Sequence, residues 1–236
     1  MNIYHPYTIF PLGDTALTID FGNLIDEETN KKVFQLFNQL KNKSLSYIFD
    51  IIPAYSSVTV YYDLLMLNQK KAEDKTAFET MAEVIETIAS EDHDIPIPQQ
   101  KLIEVPVCYS QKFAWDIEKL ANQKNISVDD VIRVHTSKTY RVFMIGFLPG
   151  FAYMGEVDDR ITMPRRQEPR TIVAEGSVGI AGKQTGIYPF QSPGGWQIIG
   201  RTPIRLFNAK NETPVVFQPG DEVKFYSITE DEFTHY

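Results

Sequence analysis

All eight arginines of this 236-residue chain lie between Arg133 and Arg205, and ten of its 13 glycines lie between Gly146 and Gly200. A guanidinium group is a rigid fork that matches carboxylate and phosphate oxygens. Glycine-rich turns let backbone N–H groups converge on an anion. Pro164-Arg165-Arg166, followed by Pro169-Arg170, places three of these cations on one proline-stiffened loop. The pattern predicts a site for a small anionic or polar ligand on the loops of a β domain. It fits equally a glycine-cornered barrel whose arginines are solvated and paired with Glu168 and Asp158.

Other residue types sharpen the first reading. Gln184 and Thr185, between Gly182 and Gly186, offer an amide and a hydroxyl where backbones approach closely. Trp196 ends the turn Ser192-Pro193-Gly194-Gly195 and, with Tyr188 and Phe151, can line a pocket. His135 falls at the end of an expected helix, either as a proton carrier or as a partner of the helix C-terminus. Gly176–Lys183 (GSVGIAGK) has the look of a phosphate loop, but five residues rather than four separate Gly176 from Gly182, and Gln184 follows the lysine. The segment also sits among β-like runs, with no helix to receive a phosphate. No nucleophile elbow and no zinc-protease motif occur. His93, between acids, has no partner at ligand spacing, and Cys108 is the only cysteine, so neither a metal site nor an internal disulfide is expected.

These groups need a frame. Strands are expected over Tyr7–Leu12, Ala16–Asp20, Tyr47–Ile52 and Val58–Tyr62. Helices are expected over Glu27–Lys41, capped by Asp26, and over Asp74–Ser90, each with apolar residues at helical spacing. Glu91–Gln100 is charged, holds two prolines and reads as a linker. Beyond it come a strand over Lys101–Val107, a helix over Trp115–Asn125 and a second helix from the capping box Ser127…Asp130 to about Thr136, with Ile126 and Val131 as its staple. From Thr139 onward short β-like runs between glycine and proline turns signal a barrel or sandwich. Arg205–Phe207 and Val215–Phe217 are among those runs.

Charge divides the chain in the same place. Residues 1–100 hold seven lysines and 15 acids, a net of −8, whereas residues 133–205 hold ten basic and five acidic residues, a net of +5. The overall −8 argues against general nucleic-acid binding. No apolar run is long enough to span a membrane, the first residues lack a secretory pattern, and the lone thiol suits a reducing cytoplasm.

Four long stretches carry a family resemblance. They are Phe143–Gly155 (FMIGFLPGFAYMG), Pro164–Arg170 (PRRQEPR), Gly176–Pro189 (GSVGIAGKQTGIYP) and Ser192–Pro203 (SPGGWQIIGRTP), preceded by Val131–Ser137. The chain closely resembles the family of 5-oxoprolinase B subunits (PxpB), also called KipI or allophanate hydrolase subunit 1. Ala174 stands where the family pattern has proline. The resemblance implies an α+β fold: a small N-terminal α/β sandwich domain over residues 1–95, then a C-terminal cyclophilin-like β-barrel over 96–236. It implies one member of a complex that opens 5-oxoproline to L-glutamate at the expense of ATP with Mg²⁺. The partners implied are a KipA-like C subunit and a LamB/YcsF-like A subunit, with this chain inactive alone. His135, Gln184 and Thr185 become the expected catalytic groups. Arg165, Arg166, Arg170, Gly182, Lys183, Tyr188, Trp196 and Arg201 become the expected ligand-binding groups. The rival expectation within the family is a non-catalytic inhibitor of a sensor histidine kinase.

Overall fold

Residues 7–22, 25–70, 72–91 and 101–236 are described by the structure, a computed structural model. The chain divides into two compact units, Met1–Pro98 and Gln99–Tyr236. The expected linker, after Glu91, and His93 within it lie outside the described residues.

The first unit is a four-stranded antiparallel sheet in the order β1-β2-β4-β3: β1 Thr8–Pro11, β2 Ala16–Asp20, β3 Ile48–Pro53 and β4 Ser57–Tyr62. Helix α1 (Glu27–Lys43) starts at Asp26, whose carboxylate accepts from the Thr29 N–H at 2.9 Å. A short helix α2 (Leu64–Asn68), absent from the sequence reading, is started by Asp63. Helix α3 (Ala77–Ser90) starts at a Thr76–Glu79 capping box, three residues later than expected. β4 shows why one face is the core: Val58, Val60 and Tyr62 are buried while the residues between them are half-exposed. Val33, Leu36 and Leu40 of α1 and Met81, Ile85 and Ile88 of α3 close the core against them.

The second unit is a closed barrel of seven strands in the order β10-β7-β6-β13-β5-β12-β9. Its strands are β5 Leu102–Cys108, β6 Thr139–Ile145, β7 Ala152–Gly155, β9 Ser177–Ala181, β10 Gln184–Ile187, β12 Gln197–Arg201 and β13 Glu222–Ile228. β8 (Arg170–Val173) and β11 (Ser192–Gly194) pair separately as a two-stranded ribbon. Closure leaves no open barrel edge. Helices α4 (Ile117–Lys124) and α5 (Val128–Ser137) lie against each other and the barrel, α5 beginning at the expected Ser127–Asp130 box, and α6 (Glu230–Thr234) ends the chain. Two expectations are corrected. Arg205–Phe207 and Val215–Phe217 are not strands; they meet only at the bridge Phe207↔Val215. β7 and β10, too short and too glycine-rich to stand out, complete the barrel instead.

Two glycines show how differently the same residue is used. Gly176 has φ +79°, and a Cβ there overlaps the Thr202 carbonyl oxygen, while its own N–H and C=O bond Tyr188 and Thr202. Gly182 has φ +60° but open space around it. Gly176→Ala is therefore expected to cost about 3 kcal/mol or to prevent folding, and Gly182→Ala about 1 kcal/mol. Urea midpoints followed by tryptophan fluorescence check this, since Trp115 and Trp196 both lie in the second unit. Equal costs at the two positions contradict it.

Candidate functional site: an aromatic cup beside an arginine loop

The loop Pro164–Pro169 is pinned from three sides. The Arg166 N–H donates to the Gly195 carbonyl at 2.7 Å, the Gln197 amide donates to the Pro164 carbonyl at 2.8 Å, and the Gly182 N–H donates to the Met163 carbonyl at 2.7 Å. The guanidinium groups answer to Asp116, the residue just before α4. Its carboxylate makes no capping bond. One oxygen accepts from the Ile198 N–H of β12 at 2.6 Å; the other faces Arg170 Nη2 at 2.7 Å and Arg166 Nη1 at 3.4 Å. The Asp116 side chain is only 4% exposed, so its charge is compensated almost entirely by these partners. Arg170 also stacks over Trp115, 5.3 Å from the ring centre. The partners expected from sequence, Glu168 and Asp158, act differently: Glu168 lends only its backbone carbonyl to Arg166, and Asp158 pairs with Arg160.

Arg165 is left without a carboxylate partner among the described residues. Its guanidinium lies 5.9 Å from the Trp196 ring centre, at the side of a cavity of about 230 Å³. Five rings form this cup: Phe147, Phe151, Tyr153, Tyr188 and Trp196. Phe151 is central, with its ring centre 4.8 Å from Tyr153, 5.3 Å from Tyr188 and 5.4 Å from Trp196. The edge-to-face pairings hold the rings at fixed angles. Burial raises the pKa of both the Tyr153 and the Tyr188 hydroxyl, against the opposing pull of Arg165. Both hydroxyls are therefore neutral donors at physiological pH. At the rim, Phe147 is 61% exposed and sits at φ +70°. A non-glycine residue there costs about 1–2 kcal/mol, a strain that recurs at ligand clamps.

The expected site residues fall in separate places. Arg165, Arg166, Tyr188 and Trp196 line the cup, and Arg170 stands behind it on Asp116. His135 and Thr185 are brought together, but in the core, each with no exposed surface. The Thr185 hydroxyl donates to the Gly179 carbonyl at 3.1 Å, so His135 Nε2–H donates to Thr185 at 3.0 Å and Nδ1 accepts from the Tyr109 hydroxyl at 2.7 Å. The ring stacks on Phe225, 4.6 Å away. Gln184 is half-exposed beside Thr185, and its Nε2 is buried without a hydrogen-bond partner. Gly182 and Lys183 form the β9–β10 turn, with Lys183 3.5 Å from Asp159. No helix follows that turn, so it offers no phosphate-binding helix N-terminus. Arg201 donates to the Glu175 carbonyl and lies 5.8 Å from each ring centre of the packed pair Phe113 and Phe233. No cluster of three or more metal-binding side chains occurs among the described residues.

Sequence reasoning missed Asp116, Phe147, Tyr153 and Gln197. An aspartate before a helix reads as a cap, and nothing local shows that its carboxylate turns to a strand 82 residues away. Phe147 and Tyr153 lie inside the Phe143–Gly155 stretch, where the run of aromatics was the available signal.

The fold is a closed seven-stranded barrel with an aromatic cup beside an arginine loop, and the comparisons give its family. Residues 7–217 match the family described as carboxyltransferase domain, subdomain C and D. The chain is 38% identical to the 5-oxoprolinase B subunit of Bacillus subtilis, covering 98% of this chain and 96% of that protein, and 32% identical to its Escherichia coli O157:H7 counterpart, covering 91% and 93%. A urea amidolyase of Lachancea kluyveri is 25% identical over the whole of this chain and 14% of its own length. Among solved structures, PH0987 of Pyrococcus horikoshii is 44% identical with a TM-score of 0.55, covering 96% of this chain and all of that one. TTHA0988 is 30% identical with a TM-score of 0.76, and this chain, matched over 90% of its length, spans only 39% of it. The chain belongs to the carboxyltransferase subdomain C and D family, within the group that holds the 5-oxoprolinase B subunits.

Two outcomes follow from the geometry. Burial lowers the His135 pKa from 6.5 to about 3, so the folded protein keeps the ring neutral where the unfolded chain protonates it. The stability this contributes is complete above pH 6.5 and is lost as pH falls below it, by about 1.4 kcal/mol per pH unit. Urea midpoints between pH 7 and 5 are expected to fall in the wild type and to flatten in His135→Gln; a flat wild-type profile contradicts this. Asp116→Asn keeps the shape but removes the charge that holds two partly exposed arginines, at a cost of about 2 kcal/mol after allowance for solvent screening. Faster tryptic cleavage after Arg166 is the readout of a loosened loop, and an unchanged rate is the contrary result.

Proposed function

We propose that this chain is the B subunit of an ATP-dependent 5-oxoprolinase, and that the cup with Arg165 holds the substrate. The observation that carries this reading is the pairing pattern of the arginine loop. Arg166 and Arg170 are engaged by Asp116, while Arg165 faces a ring-lined cavity with no acid of its own. 5-Oxoproline is a small ring bearing one carboxylate. Its ring faces suit Phe151 and Trp196, its carboxylate suits Arg165, and its lactam oxygen suits a neutral tyrosine donor. The near-complete coverage of the curated B subunits supports assigning the same role to this chain.

A lactam carbonyl is a poor electrophile. Transfer of the ATP γ-phosphoryl group to the lactam oxygen, with loss of the N–H proton, gives an imidate phosphate; water adds at that carbon, the ring C–N bond opens to leave the γ-acyl phosphate of glutamate, and a second water releases phosphate and glutamate. Such a step is catalysed by positioning and charge stabilisation. This chain's part is to bind and orient: Arg165 fixes the carboxylate and Tyr153 or Tyr188 the carbonyl. Thr185 and His135 hold β10 in place within the barrel. ATP with Mg²⁺, the A and C subunits and a reducing cytoplasm belong to the assembled complex, and the isolated chain is inactive.

The test is 5-oxoproline-dependent phosphate release with this chain alone and with its A and C counterparts. Activity only in the mixture is expected. Arg165→Ala is expected to raise the KM for 5-oxoproline at least tenfold, about 1.4 kcal/mol of lost binding, in a complex that still assembles. An unchanged KM places the substrate carboxylate elsewhere.

A further inference from the structure

A second cavity, of about 440 Å³, lies on the other side of the arginine loop, and its lining is polar where the cup is aromatic. Lys119 and Gln123, four residues apart and hence on one face of α4, form one wall. Arg165, Arg166 and Glu168 of the loop form another. Lys119 has no acidic partner among the described residues. Gln197 is the third element. Its side chain is buried, and the bond from Nε2 to the Pro164 carbonyl fixes which way the amide faces. That leaves Oε1 as a buried acceptor with no donor. An unmet buried carbonyl oxygen is unfavourable, so a bound N–H group is stabilised there.

We propose that this cavity is a binding site for an acidic amino acid. Lys119 on one wall and Arg166, at the longer 3.4 Å from Asp116, on the other suit two carboxylates, while Gln197 Oε1 and the Glu168 carboxylate suit an ammonium group. A simple dianion satisfies the cations but leaves Gln197 unmet. The choice of L-glutamate as occupant rests on the function proposed above, because glutamate is that reaction's product; the bay then holds product on leaving the cup, or returns it as an inhibitor.

Calorimetric titration of the full chain with L-glutamate, glutarate, inorganic phosphate and 5-oxoproline tests this. L-Glutamate is expected to bind at least tenfold tighter than glutarate or phosphate, and 5-oxoproline, held in the cup, is expected to bind independently of Lys119 and Gln123. Lys119→Ala and Gln123→Ala are expected to weaken it at least tenfold. Gln197→Met is expected to bring glutamate down to the level of glutarate; should that variant fail to fold, the exposed Gln123→Ala still decides. Phosphate binding as tightly as glutamate makes the bay an anion patch and overturns the proposal, as does glutamate binding that Lys119→Ala and Gln123→Ala leave unchanged, or no glutamate binding at all. Turnover of 5-oxoproline by the complex at low product concentration is expected to be unchanged in Gln123→Ala, so loss of the glutamate site and loss of the proposed activity are separate results.

Discussion

The Asp116 carboxylate is the constraint on which the candidate site depends. It joins three parts of the second unit that are far apart in sequence: the start of α4, strand β12 at Ile198, and the arginines at positions 166 and 170. A nearly buried carboxylate is tolerable only when its oxygens are satisfied, and a backbone N–H with two guanidinium groups does this. The consequence is selective. Two of three loop arginines are tied to the protein's own charge, and the third is left facing the rings. Arg166 also lines the cavity, but as a group already shared.

Behind this surface the barrel core is held by a directional relay. Tyr109 donates to His135, His135 to Thr185, and Thr185 to the Gly179 carbonyl. Every donor and acceptor of the relay is matched, so burial of a histidine is tolerated with the ring neutral. The relay ties α5 to β10 and β9, the strands whose turn carries Gly182 and Lys183. The buried, fully bonded relay thus lies in the core at β10, whereas the strained, exposed Phe147 stands at the rim of the cup.

Local signals in the sequence were reliable where the physics is local. Asp26 and the Ser127–Asp130 box start helices where the capping rules place them. The meeting of Trp196 with Tyr188 and Phe151 was also legible, because proline and glycine turns bring those short segments together, whereas the placement of Arg165 beside them was not. What was not legible depends on tertiary placement. His135 and Thr185 have the residue types of a reacting pair, yet they are neighbours because the core needs their bonds. Arg201 looks like a ligand group and is held by the Glu175 carbonyl beside the packed rings of Phe113 and Phe233. Asp116 and Gln197 gave no signal, since their roles arise from atoms contributed by other segments.

The central claim is that Arg165 and the cup take the carboxylated ring while Asp116 holds the other arginines. A crystal structure of the assembled complex with 5-oxoproline tests it most directly. The account predicts the ring against Phe151 and Trp196, with its carboxylate about 3 Å from the Arg165 guanidinium. Ligand bound wholly on another chain of the complex, with the cup empty and Arg165 unmoved, contradicts it.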